Sequence, residues 1–109
     1  MGVSKTEIFT ERQNEIALFA KVFGHPARVA ILQHLFTIKT CVCGDLVNEI
    51  KLAQPTISQH LKELKKLGLI KGNIEGTRVC YCIDFKNWTA MKEVMHQFLD
   101  QDIPEPDCC

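Results

Sequence analysis

The chain has 109 residues, enough for one compact domain and too few for two ordinary ones. Hydrophobic residues make up 46% and charged residues 24%, which excludes a disordered chain, and no apolar run approaches the roughly 18–20 residues of a membrane-spanning helix. Formal net charge is zero, yet residues 51–82 carry six positive and two negative side chains while residues 83–109 carry two and six. A uniformly basic surface is excluded, but a local basic segment is not, because screening confines such charge to about 8–10 Å. The first fifteen residues, MGVSKTEIFTERQNE, have no apolar core, so a cytoplasmic chain without a secretory signal is expected.

Ser4 with Glu7 three residues on is a capping-box pattern, which predicts a helix from about residue 5 to residue 23, ended by Gly24. Ile8, Phe9, Ile16, Leu18, Phe19, Val22 and Phe23 cover more than one face of it, more apolar surface than a small domain buries by itself. His25-Pro26 restarts the chain, with Pro26 at the first position of a second helix over about 26–37. Val29, Ile31, Leu32, Leu35 and Phe36 are its apolar residues, and Arg28 falls off that face. Residues 40–43 alternate as a very short strand, with Val42 on one side and Cys41 and Cys43 on the other. Asp45 begins the next helix, with Leu46, Val47 and Ile50 inward, and Lys51-Leu52 makes a tight turn.

The stretch 52–67, LAQPTISQHLKELKKL, reads as an amphipathic helix. Ile57, Leu61 and Leu64 recur at helical spacing, and Leu67 closes the face. Pro55 suits the first turn. Gln54, Thr56, Ser58, Gln59 and Lys62 fall elsewhere, and polar groups near a helix start can hydrogen-bond base edges and phosphates. His60 is expected to bond locally or to phosphate. Two short helices joined by a tight turn, the second polar at its start, make a helix-turn-helix. Gly68 stops this helix. Residues 70–83 read as a hairpin: a first strand from Ile70, a turn over 72–76 and a second strand over 77–83. Val79, Tyr81 and Ile83 share one face, Arg78, Cys80 and Cys82 the other. Asn87 is a plausible N-cap for a last helix over 88–101, with Trp88, Met91, Met95, Phe98 and Leu99 apolar. The domain is thus residues 1–103, followed by a Cys-containing tail, 104–109, broken by two prolines.

Six cysteines fall in three pairs: Cys41 and Cys43, Cys80 and Cys82, Cys108 and Cys109. In a reducing compartment such pairs bind metal or react rather than cross-link. With no CxxC, no Gly-rich phosphate loop and little length for a pocket, an enzyme is not expected.

The segments HPARVAIL, CVCGDL, LAQPTISQHLKELKKLGLI and EGTRVCYCID together resemble the ArsR/SmtB family of metal-responsive repressors, over roughly residues 18–88. The resemblance implies a mainly α winged helix-turn-helix with a small β-hairpin. It implies a homodimer built by the first and last helices. The helix at 54–67 would enter the major groove and the wing, with Thr77 and Arg78, would reach the backbone or minor groove of operator DNA. The Cys41-Val42-Cys43 pair resembles the arsenic-sensing branch, whose free dimer represses an operon and leaves DNA when the metalloid binds. The chain departs from that branch at Gly44, an extra residue, and at Val47, where the branch has a third cysteine. A second branch binds zinc through Asp and His, and the matching positions here, Phe85, Asn87 and Phe98, lack those donors.

As(III) or Sb(III) prefers three thiolates, and soft ions such as Cd(II), Pb(II) or Cu(I) also favour sulfur. In winged helices the short strand pairs with the second wing strand, which would put Cys41 and Cys43 near Cys80 and Cys82, since neighbouring strands lie about 4.8 Å apart. The expected ligands are therefore Cys41 and Cys43 with a third from Cys80, Cys82, Cys108 or Cys109. A redox-sensing repressor using the same pairs as disulfides is the alternative. His96 and Asp100 are spaced as an i, i+4 pair.

Overall fold

The structure, a computed structural model, describes residues 8–38, 50–75 and 78–108. Among these, the elements in chain order are α1 (Glu11–Val22), α2 (Pro26–Phe36), α3 (Gln54–Lys66), β1 (Ile70–Glu75), β2 (Arg78–Ile83) and α4 (Phe85–Leu99). The two strands pair antiparallel, from Ile70 opposite Ile83 to Glu75 opposite Arg78.

The chain enters α1 through Thr10, not through a continuous helix from residue 5. Thr10 is extended, its hydroxyl accepts from the Gln13 amide at 3.1 Å, and the Gln13 side chain accepts from the Thr10 amide at 3.0 Å. This reciprocal pair satisfies two donors that the helix start would otherwise leave orphaned. The expected cap at Ser4 lies outside the described residues. Of α1, only Val22 is buried.

His25 caps α2, its Nδ1 accepting from the Ala27 amide at 3.0 Å, and Pro26 follows at the first helical position. Ala27, Ile31, Leu32 and Leu35 turn inward. Phe36, expected on that face, is exposed but stacks edge-on against Trp88 with ring centroids 5.0 Å apart; Phe23 meets the same indole at 6.2 Å. One aromatic ring of α4 thus touches the ends of both α1 and α2.

The core joins Ile31, Leu32 and Leu35 of α2 to Ile57, Leu61 and Leu64 of α3, with Leu69, Ile70 and Met91 closing it. Each such side chain contributes about 1.5–3 kcal/mol by leaving water. Gly68 ends α3 with φ +80°, where an L side chain is strained. Its amide donates to the Lys65 carbonyl at 2.9 Å and the Leu69 amide to the Leu64 carbonyl at 3.2 Å, and Leu64 and Leu69 are both buried. This double bond pattern stops the helix and aims the chain directly into β1.

Two boundaries differ from the sequence expectation. Gly72 lies inside β1, paired with Tyr81, so the wing strand runs on to Glu75 instead of turning at 72. A glycine across from a tyrosine fits a strand in which a small residue leaves room for a large one. The last helix starts at Phe85, not Trp88, because Asp84 is its cap: Asp84 Oδ1 accepts from the Asn87 amide at 3.1 Å. Asn87 is occupied otherwise, donating through Nδ2 to the Gly68 carbonyl at 2.8 Å. Residues 101–106 form no helix or strand and, with the turn at 107–108, are exposed. No helix among the described residues is long and apolar enough to cross a membrane.

Candidate nucleic-acid interface and thiol positions

The helix α3 divides cleanly by depth. Ile57, His60, Leu61 and Leu64 are buried, whereas Gln54, Thr56, Ser58, Gln59, Lys62, Lys65 and Lys66 are exposed. The spacing of the apolar residues dictates this, because positions three and four apart share a face. Ala53 at the N-cap supplies no side-chain bond. Gln54 Nε2 donates to Ser58 Oγ at 3.1 Å, linking two members of the outward polar set. The turn before α3 is made by Lys51, a non-glycine residue at φ +60°.

Three contacts fix how α3 sits. Its C-terminal end is held by Asn87 of α4 through the Gly68 carbonyl. Its buried stripe packs on α2 and β1. Its middle is held by His60, a candidate DNA contact expected from the sequence to bond locally or to phosphate. The structure places His60 inward, 8% exposed, with Nδ1 accepting from Arg28 Nε at 3.4 Å and its ring 4.5 Å from that of His25. Burial, then the neighbouring His25 and Arg28, hold its imidazole below the usual histidine value. Arg28 also donates to the Lys21 carbonyl at 3.0 Å. Sequence spacing offered no signal for this contact, whose partners are 32 residues apart.

Arg78 opens β2 opposite Glu75, and Thr77 lies outside the described residues. Three residues, 67–69, separate the end of α3 from the start of the wing.

Cys41, Cys43 and Cys109 lie outside the described residues, as does the expected short strand at 40–43. Cys80 and Cys82 are two apart on β2 and so share a face, as the alternation required. Cys80 is fully buried and disulfide-bonded, and Cys82 is half-buried. Cys108 is exposed in the tail. Among the described residues no three His, Cys, Asp or Glu side chains come together as a metal site. Phe85 and Phe98 are exposed, and His96 Nε2 lies 3.8 Å from Asp100 Oδ2 on the outside of α4.

Residues 25–71 match the model of the bacterial regulatory protein arsR family, a helix-turn-helix family. An uncharacterized HTH-type transcriptional regulator of Methanocaldococcus jannaschii is 43% identical over 74 residues, covering 67% of this chain and 82% of that protein. The arsenical resistance operon repressor of Staphylococcus xylosus is 30% identical over 86 residues, covering 79% of this chain and 71% of that protein. HlyU from Vibrio cholerae superposes with a TM-score of 0.66 at 26% identity, covering 85% of this chain and all of that one. The match spans α2, α3 and the start of the wing, the elements that set the outward face of α3, and the chain belongs to the ArsR family of helix-turn-helix transcriptional regulators, which are not enzymes.

Proposed function

We propose that the chain is a metalloid-responsive repressor that binds operator DNA as a homodimer and releases it when As(III) or Sb(III) is held by cysteine thiolates. The observation that carries the DNA half is the split of α3, with its apolar stripe sunk in the core and its polar and basic side chains left outside. Gln54, Thr56, Ser58 and Gln59 suit base edges and phosphates, Lys62 suits phosphate, and Thr77 and Arg78 extend the contact into the wing. The dimer reading rests on apolar side chains left exposed on α1 and α4, among them Leu18 at 47% and Phe98 at 52%.

The metalloid half rests on the sulfur set. Cys41 and Cys43 are the primary ligands, with a third from Cys80, Cys82, Cys108 or Cys109. Three thiols displace three waters from arsenous acid and leave a neutral pyramidal complex. Drawing the sulfurs together distorts the entrance to the helix-turn-helix, and by linkage DNA weakens metalloid binding by the same factor that the metalloid weakens DNA binding. The arsenical resistance repressor among the relatives supports this branch. Cd(II), Pb(II) or Cu(I) would use the same soft donors.

The disulfide at Cys80 favours a second reading, a thiol-redox repressor. There two thiols give two protons and two electrons to a peroxide, which is reduced to water, and the sulfurs join. As(III) titration of the reduced protein, followed at the sulfur-to-arsenic ultraviolet band, separates the two. The band is expected in the wild type and lost on Cys-to-Ser change of 41/43. Loss also with 80/82 assigns the third sulfur to β2, and loss with 108/109 assigns it to the tail. A reduced protein with no band, whose DNA affinity falls on peroxide treatment, overturns the metalloid reading in favour of redox.

A further inference from the structure

We infer that His25, Arg28 and His60 form a positioning cluster that seats α3 on α2 only while the His60 imidazole is neutral, so that acidification unseats the DNA-facing helix. The inference rests on the reading of α3 as that helix.

His60 lies on the inward side of α3 between Ile57 and Leu61 and Leu64. Its Nδ1 is the acceptor for Arg28 Nε, which leaves its proton on Nε2. Arg28 reaches in the other direction to the Lys21 carbonyl. One guanidinium thus joins the last turn of α1, the first turn of α2 and the middle of α3. The His25 ring, tilted 50° to that of His60, has its own Nδ1 committed to the Ala27 amide at the start of α2.

A proton arriving at His60 Nδ1 removes the acceptor that Arg28 uses. Arg28 cannot yield its own proton, so a buried cation on His60 then lies against the half-buried Arg28 guanidinium. The groups facing His60 are His25 and Arg28 from α2, and α1 contributes the Lys21 carbonyl. Glu63, half-buried and three residues along α3, is the acidic residue on that helix, and no ion pair joins it to His60 among the described residues. Nothing described there compensates a second positive charge.

The sign follows. The folded chain holds the His60 proton less readily than the unfolded chain, whose histidine titrates at its ordinary value of about 6.5. Seating of α3 is therefore fully supported above that pH and lost as pH falls through and below it. Two effects on DNA oppose each other. An added positive charge attracts phosphate, whereas an unseated α3 loses its contacts. His60 faces inward, so the second effect governs.

The test uses a fluorescein-labelled duplex selected by the wild-type chain from a random-sequence library at about pH 7.5, and reads its affinity by anisotropy down to about pH 5.5. Wild-type affinity is expected to fall about fivefold or more, while His60→Gln, which keeps an acceptor but does not titrate, changes less than about twofold. Affinity that holds or rises on acidification, or the wild-type pH profile persisting in His60→Gln, overturns the inference. If His60→Gln does not fold, the wild type decides by NMR: α3 amides shifting with the His60 ring at one midpoint below 6.5 support the cluster, and amides that ignore the ring titration overturn it. A chain that selects no duplex at pH 7.5 removes the DNA reading, and the ring titration still reads the cluster separately.

Discussion

Helices α1 and α3 are nearly equal in length, 12 and 13 residues, and opposite in what they do with their apolar side chains. Three apolar residues of α3 are buried inside the chain's own core, and one of α1 is. Both contain several large apolar residues, so composition does not separate them. Placement does. In α3 the apolar residues fall on one stripe that a single-chain core can cover, and the opposite side is left polar. In α1 they wrap around, and what the core does not cover faces outward. The first pattern builds a tool presented to another molecule through polar groups. The second leaves an apolar surface outside, the one that the dimer proposed above would cover.

Breaking the stripe has the largest effect. Leu64→Ala empties a fully buried site and is expected to cost about 2–5 kcal/mol, read as a lowered urea midpoint. The corresponding change on α1 tests the contrast. Leu18→Glu is expected to leave the folded signal of the monomer intact while weakening self-association at least about tenfold, roughly 1.4 kcal/mol, by sedimentation. A Leu18 variant that unfolds the monomer instead would place α1 on the same footing as α3. Gly68→Ala comes next. It forces a side chain to φ +80° and brings Cβ to 3.1 Å from Asn87 Nδ2, for a thermal-melt cost of roughly 1–2 kcal/mol. Asn87→Ala removes the exposed bonds from Nδ2 to the Gly68 carbonyl and to Asp84 Oδ2 and is expected to cost about 1 kcal/mol. Lys62→Ala, on the outward side, leaves stability within about 0.5 kcal/mol. Its signature is instead a DNA salt slope shallower by about 1.

What the residues announced and what they withheld divides along range. The stripe at 57, 61 and 64, the stop at Gly68 and the alternation of β2 are local patterns of period 3.6 or 2, and the structure follows them. The sequence expectation starts α4 at Asn87, whereas Asp84, which can cap equally well, is the residue that does so. The choice is settled by a partner nineteen residues away, the Gly68 carbonyl. At α1 the sequence expectation takes Ser4 with Glu7 as the capping box, whereas the box that opens the described helix is Thr10 with Gln13, the same spacing six residues on. Gly72 suggested a turn, but its cross-strand partner makes it a strand residue. The inward turn of His60 depends on Arg28 and His25, which meet it only once α2 and α3 are packed. The three cysteine pairs are visible in the sequence, but the oxidation state of a sulfur is set by its neighbours and its surroundings, and no spacing encodes it.

The short passage from α3 into the wing has a mechanical consequence. Only Leu67, Gly68 and Leu69 separate α3 from β1, and the amides of all three are tied back to the end of the helix. Helix and hairpin therefore turn as one lever. A six-residue strand is about 20 Å long, so a rotation of about 5° at α3 sweeps the far end of β1 by roughly 2 Å, more than half the length of a hydrogen bond. A small tilt at the base is thereby enlarged where the hairpin ends, and the wing moves with the helix rather than after it.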